Sequence, residues 1–207
     1  MKFIFSIALL FSLVLFTHSI IPIPGGYQKS SFNSNDAKIN TAFKAVKSSV
    51  LESARSQNKV DLIPVGVYTQ IVNGINYQII AAKIDSEGKT VNLVNSVVYI
   101  GFRSQDAELK KVETLPSKNN LNFLEKSESS DLKKEINNYF AGRGSTLIEI
   151  VSLESHPNLV LENDAYYVIK AFIKTEYLSI YQFLIVNEEV NQEGKKTFDI
   201  KQVSFPA

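Results

Sequence analysis

Hydrophobic residues recur at helical spacing near the start of the chain and then alternate with polar residues along four consecutive segments. The helical stripe lies within residues 34–57, where Ser34 or Asn35 is able to cap the start of an amphipathic helix. Its apolar positions are Ile39, Phe43, Val46, Val50 and Ala54. The alternating segments predict strands over residues 60–72, 75–85, 90–103 and 108–115. A helix followed by antiparallel hairpins predicts an α+β fold and not a parallel sheet.

The same order of elements recurs after residues 116–129, a segment rich in proline, asparagine and charge that is typical of a linker. A second helical stripe is formed by Leu132, Ile136, Tyr139 and Phe140. Ser129 or Ser130 is expected to cap this helix, and Gly142 and Gly144 are expected to end it. Further alternation predicts strands over residues 145–161, 165–175, 177–190 and 196–205. The repeated order indicates an internal duplication, with one helix packed on a curved antiparallel sheet of four or five strands in each unit.

One predicted turn carries unexpected residues. The segment QIVNG, residues 70–74, lies between two alternating runs and is predicted to form a hairpin tip. Such tips usually carry small polar residues, but this one carries Ile71 and Val72. One interpretation is that Asn73 and Gly74 form only an ordinary type I′ turn. The other is that the two apolar side chains contact a partner.

The first 19 residues predict export of the protein. Lys2 precedes an unbroken apolar run that ends at small and polar residues, the arrangement of a cleavable signal peptide. A membrane anchor is the alternative, but the apolar run is shorter than the roughly 20 residues that a membrane span needs. The whole chain has 22 basic and 21 acidic residues, and cleavage after residue 19 removes Lys2, so the mature chain has 21 of each. This balance argues against binding of nucleic acid or of an anionic membrane through bulk charge.

The residue inventory also restricts catalysis and metal binding. The chain contains no cysteine, and His156 is the only histidine after residue 19, so we expect no thiol nucleophile, no metal site and no cofactor. His156 precedes Pro157 without a glycine-rich turn beside it, which favours a surface or packed histidine over a catalytic one. Glu188 and Glu189 are consecutive on a predicted strand, so they should point to opposite faces and carry solvated charge. We therefore do not expect an enzyme.

Several residues together resemble the cystatin superfamily, and most closely its disulfide-free stefin branch. Members of that branch begin with a short apolar segment that ends in a glycine pair, matched here by IPIPGGY at residues 21–27. They also carry the hairpin motif Gln-x-Val-x-Gly, matched by QIVNG, and Asn76 and Tyr77 continue the match. The signal peptide, glycine pair, helix and motif follow the order of the family. The resemblance covers residues 20–116, and residues 117–207 would form a second, degenerate cystatin-like unit.

The resemblance implies a reversible inhibitor of papain-like, cathepsin-like cysteine proteases, located outside the cell or in the endolysosomal lumen. The N-terminal segment and the hairpin tip would occlude the active-site cleft without any chemistry on the part of the inhibitor. Pro24 would hold Ile23 extended, and the glycine pair would turn the chain away from the catalytic cysteine. The implied protease-binding residues are Ile23, Pro24, Gly25, Gly26, Gln70, Ile71, Val72, Asn73 and Gly74.

Some features depart from the family pattern. The second hairpin lacks the tryptophan that many cystatins carry there, so the resemblance implies less contact from residues 103–107. In the second unit, Leu159 or Val160 stands where Gln70 stands in the first, and Asn163 or Asp164 replaces Gly74. We therefore expect only the first unit to inhibit. One alternative is a non-inhibitory or latexin-like binding module directed at a carboxypeptidase. Another is a structural or enzymatic role without a protease partner, which the lack of a convergent catalytic set disfavours. Residues 71–73 are a candidate hinge for a domain-swapped dimer.

Overall fold

A computed structural model describes residues 26–33, 35–54, 60–85, 90–116, 119–125 and 129–203. The protein is α+β, with two antiparallel sheets and a helix on each. The predicted order of one helix and four hairpin-connected strands is present in both halves. The predicted boundaries at residues 19 and 116 stay predictions.

The first half contains a five-stranded sheet in the order β1-β2-β3-β4-β5. Its strand β1 was not predicted, because three residues with two polar side chains and one charge carry no alternating signal. The elements are β1 (Gln28–Ser30), α1 (Ala37–Ala54), β2 (Val60–Val72), β3 (Gly74–Asp85), β4 (Val91–Ile100) and β5 (Ala107–Thr114).

The second half contains a four-stranded sheet in the order β6-β7-β8-β9. A short 3₁₀ helix, Leu121–Glu125, lies inside the predicted linker, and Asn120 donates its backbone N–H to the Leu153 carbonyl of this second sheet at 2.6 Å. The remaining elements are α2 (Ser130–Ala141), β6 (Thr146–Pro157), β7 (Asp164–Lys174), β8 (Ser179–Val190) and β9 (Lys196–Val203).

Each helix buries its apolar stripe against one face of its own sheet. In the first half, Ile39, Val46 and Val50 are almost fully buried and pack on alternate residues of β2, β3 and β4. In the second half, Leu132 and Ile136 do the same against β7 and β8. Both predicted stripes are therefore confirmed where the structure describes their side chains.

The capping residue predicted for α1 is wrong, whereas α2 has Ser129 at its N-cap position and Gly142 at its C-cap, as predicted. Helix α1 is capped by Asp36, whose Oδ1 accepts the backbone N–H groups of Lys38 and Ile39 at 2.9 and 3.1 Å. Asn35 instead donates its backbone N–H to the side chain of Asn33, and Ser34 lies outside the described residues. Ser129 precedes α2 but donates its hydroxyl to the Leu124 carbonyl, so its side chain does not cap the helix.

The faces of the two sheets that do not contact a helix pack against each other. This contact, which we call the inter-sheet core, joins strands β2, β3 and β4 to strands β7, β8 and β9 and gives four layers in the order helix, sheet, sheet, helix. Its buried members are Val65, Tyr68, Ile80, Ala82, Ile84, Val91, Leu93, Tyr166, Val168, Phe183, Ile185 and Val203. Strands in such a position are apolar on both faces, as the runs "IIAA" of β3 and "FLIV" of β8 are. The two halves are therefore not independent units joined by a linker alone.

A buried polar cluster lies within the inter-sheet core. The Tyr68 hydroxyl donates its hydrogen to Asp164 Oδ2 at 2.8 Å. The Tyr166 hydroxyl lies 2.8 Å from the Tyr68 oxygen and therefore donates to it. Burial, the neighbouring Tyr166 and the Asp164 carboxylate raise the pKa of Tyr68, so its hydroxyl remains a donor at every physiological pH. Gly66 is required beside this cluster, since a Cβ there would lie 2.0 Å from the Tyr166 hydroxyl. The cluster fixes the relative position of the two sheets close to the first hairpin tip.

Candidate functional site

Three segments of the chain reach the same end of the first sheet. Gln28 pairs with Thr69 in an antiparallel register, so the chain enters β1 from the side of Ile71. Ile75 pairs with Ile100, which places the β2–β3 turn beside the β4–β5 loop. We call this surface the tip edge and define it as Gly26, Ile71–Gly74 and Gly101–Asp106.

The first hairpin tip is a very narrow turn. Val72 pairs with Gly74, so Asn73 alone lies between the strands. Gly74 has φ +148, and a Cβ on it would lie 2.5 Å from Tyr99 Cε2, so both the backbone conformation and the close approach require glycine. The Tyr99 hydroxyl donates to the Asn73 carbonyl and thereby holds the turn from the next strand.

The type I′ interpretation of this turn is wrong. A type I′ turn needs positive φ at both central residues. In the described part of the chain, Asn158 is the only residue other than glycine with positive φ, so Asn73 does not meet the requirement. Gln70 lies at the base of the tip, where its Oε1 accepts the Asn76 side-chain amide at 2.8 Å across the hairpin.

The side chains at the tip edge are apolar and face solvent. Ile71 is 49% exposed and Val72 is 42% exposed, on a turn without an ionisable residue. The adjacent β4–β5 loop adds Phe102, which is 55% exposed. Ser104 orders that loop, because its N–H donates to the Gly101 carbonyl at 3.1 Å and its hydroxyl accepts the Asp106 N–H at 2.9 Å. Three large apolar side chains therefore project from one end of the sheet.

Phe102 was not identified from the sequence. The apolar run that ends at Phe102 predicts a strand over residues 90–103, but β4 ends at Ile100. Gly101, directly after the last residue of β4, and the polar residues after Arg103 were the available signal that the strand ends earlier.

The N-terminal segment is described only from Gly26 onward. Gly26 is exposed, and Tyr27 packs partly against the inter-sheet core, where burial raises its pKa. Ile23, Pro24 and Gly25, which the resemblance assigns to protease binding, lie outside the described residues. The predicted signal peptide at residues 1–19 lies outside them as well.

The corresponding connection in the second half has a different shape. Residues 158–163 link β6 to β7, and Asn158 adopts φ 52. Leu159, Val160 and Leu161 pack against the inter-sheet core and do not project. Asp164 holds this connection, because its Oδ1 accepts the Leu159 N–H at 3.1 Å. The second half therefore has no thin apolar tip at this position.

The histidine considered for catalysis is packed in the protein. His156 Nε2 is buried without a hydrogen-bond partner, and burial lowers the pKa of the ring against the opposing effect of Glu154. Within the described ranges, no group of three or more histidine, cysteine, aspartate or glutamate side chains could hold a metal ion.

Glu188 and Glu189 point to opposite faces as predicted, but the expectation that both are solvated is wrong. Glu188 is 6% exposed and accepts the Tyr167 hydroxyl at 2.9 Å on the helix side of its sheet, where burial and this carboxylate raise the pKa of Tyr167. Lys196 also pairs with Glu188 at 2.9 Å. Glu189 pairs with Lys29 of the first sheet. Both carboxylates are therefore structural.

Comparison with known proteins gives no family for this chain. No protein-family model matches the sequence, and no curated protein matches it. Among the helices of the described residues, none combines the length and apolar character that a membrane span requires.

Proposed function

We propose that this chain is a duplicated cystatin-like protein that reversibly inhibits papain-like cysteine proteases through the tip edge. The observation that carries the proposal is the convergence of the N-terminal segment, the QIVNG tip and the β4–β5 loop at one end of the first sheet. Export to the cell exterior or the endolysosomal lumen, where such proteases act, belongs to the same proposal.

The shape of the tip edge supports insertion into a cleft. With one residue between its paired strands, the first tip is about as thin as a hairpin can be. Tyr99 and Gly74 fix its conformation before binding, which lowers the entropy cost of association. Ile71 and Val72 expose apolar area that would lose water inside an apolar groove.

The tip edge also offers a contact on each side of the first tip. Gly26 marks the place where the N-terminal segment leaves the sheet, so Ile23, Pro24 and Gly25 would bind on that side. Phe102 would bind on the other side and supply an aromatic contact in place of the missing tryptophan. The catalytic cysteine of the protease would then be covered by a chain that turns away from it and is not cut.

Inhibition is assigned to the first half alone. In the second half, the three apolar residues after Asn158 are already packed against the inter-sheet core and are not available to a protease. The second half stabilises the first sheet on the face away from α1, where Tyr166 and Asp164 hydrogen-bond with Tyr68.

The test is titration of papain with residues 20–207 and with three variants. Gly26→Trp and Val72→Asp should each abolish inhibition and leave the circular dichroism spectrum and thermal midpoint unchanged. Leu178→Asp is the matched control, since Leu178 is 52% exposed on another hairpin, and it should inhibit like the parent. Unchanged inhibition by both tip-edge variants refutes the proposal. Inhibition of a metallocarboxypeptidase but not of papain would favour the latexin-like alternative.

A further inference from the structure

A second exposed apolar surface lies far from the tip edge. The exposed large hydrophobic residues outside the tip edge all lie at the end of the β7–β8 hairpin or beside it, within the described part of the chain. Tyr177 at the turn is 85% exposed, and Tyr181 is 58% exposed. We call this surface the Tyr177 patch and define it as Ile148, Phe172, Tyr177, Leu178 and Tyr181. Ile180 alternates with Tyr181 and lies on the opposite face of the strand, the helix side, with Leu184 and Val186.

The Tyr177 patch lies at the opposite end of the molecule from the tip edge. Tyr68, close to the first hairpin tip, contacts Tyr166 near the start of β7. Val91, at the other end of the first sheet, shares a cleft with Lys170 and Phe183, further along the second sheet. Strand β7 therefore continues past the end of the first sheet, and the hairpin end at residues 174–179 projects beyond it.

The patch continues a surface that the protein already uses to bind a sheet. Phe172 and Tyr181 alternate along their strands with the same parity as Val168 and Phe183, so they lie on the face that forms the inter-sheet core. Their rings are in contact, with centroids 4.9 Å apart, and Lys170 Nζ lies 5.0 Å from the Tyr181 centroid. Beyond the end of the first sheet, this apolar face is exposed.

We propose that the Tyr177 patch is the contact through which two copies of this chain associate. A two-fold axis through the patch would pack the uncovered part of one β7–β8 face on the same part of the other, as the inter-sheet core packs sheet on sheet. This interface goes beyond the proposed inhibition, because the tip edges would lie at the two far ends of the dimer and remain free.

The charges around the patch favour a second copy over an anionic membrane surface. Lys170 and Lys174 lie on β7, Glu149 pairs with Phe172 from β6, and Glu176 lies in the hairpin turn. The rim is therefore neutral, with no cationic excess to attract anionic lipids. Around a two-fold axis, an acidic residue of one copy can face a lysine of the other.

The size of the patch predicts a weak dimer. A standard interface uses roughly 20 to 30 residues a side. The Tyr177 patch has five, so we expect a dissociation constant in the micromolar range or above, and a monomer at the nanomolar concentrations of inhibition assays.

Sedimentation equilibrium of residues 20–207 between about 1 µM and 1 mM tests the proposal, since this range brackets a weak dissociation constant. The average mass should rise from that of a monomer towards that of a dimer. The triple variant Tyr177→Ser/Leu178→Ser/Tyr181→Ser should remain monomeric, and the control Ile71→Ser/Val72→Ser should associate like the parent. A monomer at all concentrations overturns the proposal. Dimerisation of the triple variant overturns it as well, and is the result expected of a dimer that exchanges strands through the first hairpin.

Cysteine cross-linking gives a second readout, because the natural chain contains no thiol. Tyr181→Cys should form a disulfide-linked dimer on mild oxidation, and Lys44→Cys, on an exposed position of α1, should not. Equal and slow cross-linking of both variants contradicts a two-fold contact at the patch. Co-sedimentation of a monomeric parent protein with phosphatidylcholine vesicles would assign the patch to a membrane surface and overturn the dimer.

Discussion

The double variant Ile71→Ser/Val72→Ser removes the apolar groups of the first tip without touching the interior of the protein. Full burial of an isoleucine or valine side chain is worth about 1.5–3 kcal/mol. Because Ile71 is 49% exposed and Val72 is 42% exposed, about half of each side chain remains to be buried by a protease. The two together should then contribute about 1.5–3 kcal/mol of binding free energy. At about 1.4 kcal/mol per factor of ten, the inhibition constant should rise roughly 10- to 150-fold.

Steady-state inhibition of papain measures this change, with the protein at concentrations below those at which it associates. The control is Leu178→Ser/Ile180→Ser, which removes similar side chains, 52% and 38% exposed, at the other end of the molecule. Its inhibition constant should match that of the parent. Urea denaturation should show both double variants folded, with similar losses of about 1.5–3 kcal/mol from the half of each side chain that the folded protein already buries. An inhibition constant that changes less than threefold in the tip variant would refute the reasoning, as would an equal loss in the control.

Three further variants test the packing that positions the tip edge. Gly66→Ala should destabilise the protein by roughly 1–3 kcal/mol in urea denaturation, since its Cβ would meet the Tyr166 hydroxyl. The cost should be smaller in a Tyr166→Phe background, and equal costs would contradict the clash. Gly74→Ala should raise the inhibition constant at least about tenfold, because φ +148 and Tyr99 exclude a Cβ; unchanged inhibition would contradict a fixed tip. Burial lowers the pKa of His156, so this histidine is protonated at a higher pH in the unfolded chain than in the folded one. The free energy of unfolding should therefore fall as the pH drops below about 6.5. Thermal midpoints between about pH 7 and 5 should show this loss in the parent and a smaller one in His156→Gln.

The elements and their order could be predicted from local patterns. Helical spacing identified α1 and α2, and alternation identified eight of the nine strands, because a face buried on one side leaves a clear period in the sequence. The exposure of Ile71 and Val72 was also predicted, because the side chains of a short hairpin tip project into solvent.

The contacts between the two halves were not foreseen, because no local pattern specifies which sheet faces meet. Doubly apolar runs such as those of β3 and β8 are typical of strands that are buried on both faces, but they do not identify the surface that covers the second face. The interactions of Glu188 and Glu189 were missed for the same reason, because Lys29, which pairs with Glu189, is distant from it in sequence. The capping role of Asp36 was missed because three capping residues stand in a row at positions 34–36 and local propensity does not choose among them.

Protection of the catalytic thiol of papain tests the central claim most directly. The chain contains no cysteine of its own, so alkylation by iodoacetamide reports only on the protease. One equivalent of residues 20–207 should suppress alkylation of the catalytic cysteine, and mass spectrometry should recover the chain uncut after dissociation. Alkylation at the rate of free papain, or cleavage near Gly25 and Gly26, would contradict occlusion of the cleft by the tip edge.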